Sequence, residues 1–360
     1  MKVAIILSAI NRAGGTERVG ITAIEALNEI DIVPDIFPLD IGTEENVFGK
    51  DIKYNLKTIN YINPPRFTIY SYYANRLLNF NKFKNYDYTF NFSLIFFNFK
   101  KGLYYIHVPD FDVEMMRPGY NKGWRKFYVL PIELIIDPIQ KRAFLNSKSM
   151  DRACNSKYIA DILYKQTGMK SRVIYPPADL ESFKSNDKKR DGVVTIGRFT
   201  PIKNQLEQIE IAQKNQDITF RLLGTGSEKK KYFQKLAKEA EKLENVELHV
   251  NLPIDKFIDI VKSSKFFMHN MRNEHFGIAT VEAIAAGCIP IVHNSGGQKE
   301  IVPYPELRFN EKEEAIQILK RLQNENLDRY RNRLKQYIKR FDEKVFKNKI
   351  RKYLLWETQG

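Results

Sequence analysis

The stretch VVTIGRFTPIKNQLEQIEIAQKNQDITFRLLG, residues 193–224, indicates the class of fold. Residues 193–197 form a short β-branched run that is typical of a buried strand, and residues 205–215 space their apolar side chains as a helix does. A second strand-like run follows at 218–224. Short strands that alternate with longer amphipathic helices predict parallel α/β domains.

The same alternation continues on both sides of this stretch. Strand-like runs lie at 3–8, 31–39, 102–108, 246–250, 266–270 and 289–294, and helical runs lie at 18–30 and 228–243. Residues 176–192 carry two prolines and a charge cluster, which predicts a linker between two domains. A length of 360 residues also suits two domains better than one core.

We therefore expect an α/β protein with two Rossmann-like domains that face each other across a cleft. The first domain is predicted to span residues 1–177, and the second, which would bind a nucleotide, residues 190–339. We expect a C-terminal helix at about residues 340–360 to cross back to the first domain. Such a cleft suits a negatively charged ligand, because strand carboxyl ends and helix N-termini can face it.

The composition narrows the classes of partner. The chain has 58 Lys and Arg against 43 Asp and Glu, a net charge of +15, which fits either attraction to something anionic or a solvated basic surface. No nucleic-acid recognition motif is present and the lysines are widely spread, so we expect no nucleic-acid partner. The 2 cysteines lie far apart and suit a reducing cytoplasm. Since no apolar run approaches ~20 residues, we expect a soluble protein or one held peripherally on the cytoplasmic membrane face.

The stretch NEHFGIATVEAIAAG (273–287) is the first candidate site. Gly277 permits close backbone approach, and the N–H groups at the start of the following helical run would point at an anion. Glu282 lies in the second turn, and helical side chains lean toward the N-terminus, so its carboxylate could accept hydrogen bonds from ribose hydroxyls. Taken alone, the stretch fits an ordinary helix with one exposed glutamate better.

Two cations favour a binding site over an ordinary helix. Arg198 follows the strand 193–197 directly, and Lys203 lies five residues further on. A diphosphate leaving group needs paired positive charge, because negative charge develops on it as the glycosidic bond breaks. A solvated basic turn remains the alternative in so lysine-rich a chain. The combination of these cations with the two later glutamates is much rarer than either part.

These motifs resemble those of the family-4 retaining glycosyltransferases of GT-B fold. The resemblance rests on GRFTPIKNQLEQI (197–209), on the two glutamates of 274–282 and on HNSGGQKEIV (293–302). Further segments also fit that family: AGGTERVG (13–20), YIHVPD (105–110), ACNSKYIADIL (153–163) and RVIYPPADLESF (172–183). Within the family, MHNMRNEHFGIATVE (268–282) is similar to the subfamily of α-1,2-mannosyltransferases that extend dolichol-linked oligosaccharides.

The resemblance implies a donor site with residues from both domains. The implied donor-binding residues are Gly14, Gly15, Arg198, Lys203, Glu274, His275, Phe276, Gly277 and Glu282. Arg198 and Lys203 would bind the diphosphate, and Glu282 would hold the ribose. Glu274, with the backbone of residues 275–277, would hold the donor sugar.

The implied catalytic residues are His107, Glu274, Arg198 and Lys203. His107 would lie beside the reacting sugar, unless it is a structural histidine at the end of a strand. Gly14 and Gly15 would form a loop that lets donor phosphate and acceptor approach the backbone.

The implied reaction moves a hexose, with mannose from GDP-mannose as first choice, to a hydroxyl of a lipid-linked or membrane-associated glycan. We expect no cofactor and no metal, because the close acidic repeat DFD (110–112) directly follows the His107 strand instead of lying in a suitable loop. We see no convincing nucleophile, which favours front-side displacement with retention. Pyridoxal-dependent phosphorolysis is disfavoured, because no lysine has a persuasive Schiff-base context.

Two alternatives stay open. One is a UDP-sugar-dependent glucosyl- or N-acetylhexosaminyltransferase of glycolipid or polysaccharide synthesis, and the other is a non-catalytic nucleotide-sugar-binding protein. The stretch NKGWRKFYVL (121–130) interleaves aromatic with basic residues, which is typical of peripheral docking on an anionic membrane. A buried aromatic core with a basic rim would give the same pattern.

Overall fold

The structure is a computed structural model. It describes residues 1–8, 14–39, 52–57, 82–93, 96–97, 99–109, 127, 134–135, 137–147, 150–185 and 190–355. The chain divides into two compact units. The first comprises Met1–Pro177 with Glu343–Gly360, and the second comprises Ala178–Asp342.

The first unit is built on a parallel sheet. Its strands are β1 (Val3–Leu7), β2 (Asp35–Pro38), β3 (Asn55–Leu56), β4 (Tyr88–Asn91), β5 (Gly102–Ile106), β6 (Met150–Cys154) and β7 (Arg172–Val173). Their order across the sheet is β3-β2-β1-β4-β5-β6-β7, and all neighbours run parallel. The five residues of β1, VAIIL, are all buried, as expected for a strand covered on both faces.

Among the described residues of the first unit, three helices precede residue 178: α1 (Gly15–Asn28), α2 (Asp137–Asn146) and α3 (Lys157–Thr167). The ends of α3 show why the chain is helical there. Ser156 Oγ accepts a hydrogen bond of 3.1 Å from the Ile159 N–H, which satisfies a donor that the helix leaves unpaired. The helix ends at Gly168, whose φ of 71° is the left-handed conformation of a common C-terminal cap.

The second unit is a six-stranded parallel sheet. Its strands are β8 (Asp191–Ile196), β9 (Phe220–Gly224), β10 (Val246–Val250), β11 (Ser264–His269), β12 (Ile289–His293) and β13 (Arg308–Phe309), in the order β10-β9-β8-β11-β12-β13. Counted from β8, this is the 3-2-1-4-5-6 order of a Rossmann sheet. The order reverses between β8 and β11, so the loops after these two strands leave in opposite directions and open a crevice at the carboxyl edge.

Seven helices are described in the second unit: α4 (Gln205–Gln213), α5 (Lys231–Ala240), α6 (Ile254–Ser263), α7 (Ile278–Ala285), α8 (Gln298–Ile301), α9 (Lys312–Gln323) and α10 (Asp328–Ile338). The helix α7 follows the loop after β11 and is almost entirely buried. It therefore holds the residues of the predicted site against the core of the sheet.

The last helix, α11 (Glu343–Leu355), belongs to the first unit. Phe346, Ile350 and Leu354 are at most 1% exposed and join the same apolar core as Val19 and Ala23 of α1. Both predicted α/β units with parallel sheets are confirmed, as is the return of the C-terminal helix. In the portions of the chain that are described, no helix has the length and apolar character that a membrane crossing requires.

Candidate functional site

Two loops meet at the switch point of the second unit's sheet, the place between β8 and β11 where the strand order reverses. β8 ends at Ile196, and the chain continues through Arg198 into a 3₁₀ turn at Pro201–Lys203. β11 ends at His269, and its loop carries Glu274 toward α7. Lys203 Nζ lies 2.6 Å from Glu274 Oε2, so the cation of one loop pairs directly with the carboxylate of the other.

The Glu274 carboxylate is held by three donors. Its Oε2 accepts from Lys203 Nζ and lies 3.1 Å from His269 Nε2, while Oε1 accepts from the His275 backbone N–H at 3.1 Å. The side chain is only 13% exposed. Burial by itself would raise the pKa of Glu274, but the Lys203 charge and the hydrogen bonds from His269 and Lys203 hold that pKa well below its usual range. The carboxylate is therefore charged at neutral pH.

His269 acts as a donor in this cluster. A carboxylate can only accept, so the short contact requires a proton on Nε2. The His269 side chain is 4% exposed, and burial lowers its pKa because the charged imidazolium loses solvation. The ring is accordingly a neutral imidazole that donates to Glu274.

The loop between β11 and α7 is packed tightly against the two glycines 296 and 297. The Gly297 N–H donates to the Glu274 carbonyl at 2.7 Å. A Cβ at Gly297 would lie 2.6 Å from the His275 carbonyl oxygen, closer than real side chains approach backbone. Gly296 has a φ of 62° and would collide with the Glu274 backbone. The glycine pair therefore allows the Glu274 loop to take its place.

A second set of contacts fixes the same loop from its start. Asn273 has a φ of 54°, and its N–H donates to Ser295 Oγ at 2.7 Å. His293 Nδ1 lies 2.8 Å from the same hydroxyl. Gly277, with a φ of 113°, is the N-terminal cap of α7, and the buried Gln298 amide packs against it. The turn before α7 is thus held by residues that follow β12.

The remaining predicted residues of the second unit take different positions. Arg198 is exposed, while its carbonyl accepts from Gln205 Nε2 at 2.8 Å. Phe276 is 2% exposed and packs edge-on against Phe341. Glu282, expected to be exposed if it had no function, is 5% exposed within α7. Among the predicted residues of this unit, the structure brings Glu274 into contact with Lys203 and with the backbone N–H of His275.

The other predicted residues lie in the first unit. Gly14 is the exposed N-terminal cap of α1 and Gly15 is the helix's first residue, while residues 9–13 before them are outside the described ranges. His107 is 8% exposed, directly follows β5 and stacks edge-on against Tyr105. Its carbonyl accepts from Asn155 Nδ2 at 3.2 Å. The DFD repeat at 110–112 also lies outside the described residues.

Sequence reasoning missed His269 and its neighbour Asn270. The two residues end the apolar run FFMHN, and successive strand residues point to opposite faces. Asn270 is fully buried, donates to Glu207 Oε2 at 2.7 Å and accepts from Gln208 Nε2 at 3.1 Å. Two polar residues at the carboxyl end of a central strand were the available signal.

Among the described residues, no group of three His, Cys, Asp or Glu is arranged as metal ligands would be.

Comparison with known proteins assigns a family to the second unit. Residues 178–341 match the profile of the family "Glycosyl transferases group 1" and form a domain of that family. The resemblance carried by the sequence motifs is confirmed for this domain.

Two curated relatives carry the same activity name. A GDP-Man:Man(3)GlcNAc(2)-PP-Dol alpha-1,2-mannosyltransferase of Dictyostelium discoideum is 28% identical over 175 residues, which cover 42% of this chain and 35% of the relative. The mouse protein of the same name is 29% identical over 234 residues, covering 56% of this chain and 48% of the relative. The similarity thus spans about a third to a half of the relatives' length.

Among solved structures, the fold is similar to that of WaaG, a glycosyltransferase involved in lipopolysaccharide biosynthesis. The TM-score is 0.73 at 14% identity, and the alignment covers 96% of this chain and 98% of WaaG. At this identity the likeness concerns the fold alone, which is that of the GT-B glycosyltransferases.

Proposed function

We propose that this protein is a retaining glycosyltransferase that moves a hexose from a nucleoside diphosphate sugar to a hydroxyl acceptor. The observation that carries the proposal is the Lys203–Glu274 pair at the switch point of a Rossmann sheet, beside the N-terminus of α7. Ligands of such sheets bind at the carboxyl edge at this point. The domain match at 178–341 supports the same conclusion.

The pair suits the two ends of a donor's reacting bond. Lys203 supplies a point charge and Arg198 an exposed planar guanidinium, and both suit a diphosphate. The N–H groups at the start of α7 add partial positive charge on the same side of the sheet. Glu274 carries the negative charge that accepts hydrogen bonds from sugar hydroxyls. We assign the donor ribose to Glu282.

The roles proposed for residues of the first unit rest on the resemblance to the glycosyltransferase family. His107 would lie beside the reacting sugar, and Gly14 with Gly15 would let donor phosphate and acceptor approach the start of α1. In the proposed step the acceptor hydroxyl attacks from the face that the diphosphate leaves and passes its proton to a departing phosphate oxygen. The new bond to the acceptor forms as the bond to the diphosphate breaks, so the anomeric configuration is retained. Arg198, Lys203 and the α7 N-terminus would stabilise the charge on the departing diphosphate.

Mannose from GDP-mannose is the proposed donor, and a lipid-linked glycan the proposed acceptor. Both are supported by the name that these two curated relatives carry, which specifies GDP-mannose and a dolichol-diphosphate glycan. A UDP-sugar is the alternative donor, and a nucleotide-sugar-binding protein without transfer is the alternative function.

The donor is tested on the full chain with a panel of GDP-mannose, UDP-glucose, UDP-N-acetylglucosamine and ADP-glucose. We expect GDP-mannose to raise the thermal midpoint most, since a ligand that binds only the folded state stabilises it by mass action. We also expect GDP release when a lipid-diphosphate oligosaccharide is added, and an α-linked product. A larger shift with UDP-glucose would instead assign a UDP-sugar enzyme. Binding without release for any acceptor would assign the non-catalytic alternative.

The site is tested with Glu274→Gln, Glu282→Gln and the exposed control Glu244→Gln. Loss of the Glu274 charge should lower kcat about 100-fold, the usual effect of removing one transition-state contact. Loss of Glu282 should chiefly raise the donor Kd, and the control should leave both unchanged. Full transfer activity in both Glu274→Ala and Lys203→Ala would contradict the proposed site.

We further propose that the first unit contacts an anionic membrane from the cytoplasmic side. The stretch 121–130 lies outside the described residues except for Phe127, which is 79% exposed. Nearby, Leu134, Ile135 and Ile139 are 67%, 59% and 61% exposed. Leu134→Ser/Ile135→Ser should reduce co-sedimentation with phosphatidylglycerol vesicles, whereas Ile202→Ser in the second unit should not. Equal sedimentation of all variants would contradict membrane docking by these residues.

A further inference from the structure

We propose that His269 is a positioning residue of the donor-sugar site, whose Nε2–H holds the Glu274 carboxylate in place when Lys203 turns to the donor diphosphate. The inference rests on the proposed function and deepens it, because the sequence motifs assign no role to this residue. One carboxylate oxygen, Glu274 Oε2, has both Lys203 Nζ, at 2.6 Å, and His269 Nε2, at 3.1 Å, as partners.

The two partners differ in how firmly they are placed. Lys203 ends a 3₁₀ turn, is 20% exposed and carries its charge on a flexible four-carbon stem. His269 is the last residue of the central strand β11, and its side chain is 4% exposed. Its ring lies nearly parallel to that of Phe267, with 6.1 Å between centroids and 14° between planes. The lysine can move toward a ligand, whereas the imidazole cannot.

A bound diphosphate competes with Glu274 for Lys203, because both are anionic. Without a second donor, the carboxylate would then be a largely buried charge with only the His275 N–H as partner, and such a group reorients or takes up a proton. The His269 hydrogen bond prevents both. It fixes one carboxylate oxygen and leaves the other face available to a sugar hydroxyl.

The neutrality of His269 matters to this role. Burial lowers the pKa of the ring, so His269 supplies a hydrogen bond without supplying a charge. Glu274 therefore keeps its negative charge for the donor sugar after Lys203 has left. A second lysine at this position would neutralise the carboxylate.

A packing role alone would not need an imidazole here. The preceding β11 residues Phe267 and Met268 are fully buried and apolar, and a third apolar residue would avoid the cost of burying a polar ring. Asn270, next along the chain, points to the opposite side and bonds to Glu207 and Gln208 of α4. Only His269 of the two reaches the Glu274 carboxylate.

Two substitutions of similar size separate the hydrogen bond from packing. His269→Gln places an amide N–H where the ring carries Nε2, whereas in His269→Asn the amide is too short to reach Glu274. Calorimetry on the full chain gives the affinities for GDP and for GDP-mannose, and their ratio measures what the sugar adds to binding. Steady-state kinetics gives kcat.

We expect His269→Asn to bind GDP as the wild type does, to lose about tenfold in the sugar's contribution to affinity and to lose kcat, since one charged hydrogen bond is missing. His269→Gln should restore both within about threefold. Equal GDP-mannose binding and kcat in His269→Asn and the wild type would overturn the inference. Equal damage in both variants would also overturn it, because packing would then explain the loss.

Failure of the proposed function gives a different pattern. A wild type that binds neither GDP-mannose nor any UDP-sugar refutes the transferase proposal, whatever the variants do.

If His269→Asn does not fold, nitrogen-15 NMR of the ligand-free wild type and of Glu274→Gln keeps the inference testable. An Nε2-protonated His269 whose signal shifts in Glu274→Gln supports the contact, and an Nδ1-protonated ring overturns it.

Discussion

At the scale of single residues, the candidate site is more closely coupled than its sequence implies. The family resemblance assigns Lys203 and Glu274 to different parts of the donor, the diphosphate and the sugar. In the structure they form one ion pair with 20% and 13% of their side chains exposed. Sequence spacing reveals which loops carry charge. It does not reveal that Lys203 donates a hydrogen bond to Glu274, 71 positions away.

This coupling predicts a strong energetic interaction. Lys203→Met leaves the Glu274 charge in a buried place with fewer donors, so we expect it to lower the free energy of unfolding by about 3 kcal/mol. Adding Glu274→Gln removes the charge itself and should recover part of that loss, giving a coupling energy of about 1 to 3 kcal/mol. Urea unfolding of the wild type, both single variants and the double variant measures it.

The pair Lys312–Glu210 is a matched control, because its atoms are also 2.6 Å apart but its side chains are 41% and 55% exposed. The same cycle at this pair should show little coupling, since solvent screens exposed pairs. Strictly additive effects at Lys203 and Glu274 would mean that their contact adds nothing to stability.

At the scale of elements, loops carry the residues of the site, and glycines allow those loops to pack closely. The motif HNSGGQKEIV resembles family signatures, but its physical role appears only when the Glu274 loop is seen packed on it. Both glycines lie under the backbone of Glu274 and His275, which leaves no space for a Cβ.

Replacing Gly296 tests this packing. Gly296→Ala combines the strain of a φ of 62° with a backbone collision, so it should destabilise the second unit and weaken donor binding. Gly168→Ala is the control: its φ of 71° is similar, but a Cβ there meets nothing within 4 Å. The control should cost only the φ strain, about 1 to 2 kcal/mol, and should leave donor binding unchanged. Equal losses of stability in the two variants would show that the collision is relieved.

The boundaries of elements also show where local patterns mislead. The pattern of DIVPDIFPL (31–39) predicts one strand, but β2 covers only Asp35–Pro38. Asp31 has a φ of 59°, and the Ile32 N–H donates to the Leu27 carbonyl at 3.0 Å, so the chain turns after α1 before β2 begins. Hydrophobic character alone could not separate this turn from the strand. Conversely, α1 begins at Gly15, before the predicted residue 18.

At the scale of the whole molecule, buried histidines predict how stability changes with pH. Burial lowers the pKa of His269, His275 and His293 below the ordinary value of 6.5. Between the folded and unfolded pKa values, the unfolded chain therefore binds more protons than the folded chain does. The free energy of unfolding should then fall as the pH is lowered through about 6.5.

Urea unfolding at pH 7.5, 6.5 and 5.5 measures this effect. His269→Gln should make the pH dependence shallower, because one depressed pKa is removed. Stability that stays constant or increases toward pH 5.5 would contradict the prediction. Glu274 acts in a lower window, because its pKa is depressed and its contribution is lost progressively as the pH falls from about 4.5 through its lower folded pKa.

The sequence by itself determined the two parallel α/β units, the glycosyltransferase resemblance and most of the chemical groups of the proposed site. These are local properties: hydrophobic periodicity sets strands and helices, and short motifs carry cations, acids and glycines at strand ends. Only the tertiary structure decided which groups meet. The reversal of strand order between β8 and β11 brings Lys203, Glu274 and His269 together, and contacts between residues so distant in sequence depend on sheet order, which no local pattern encodes.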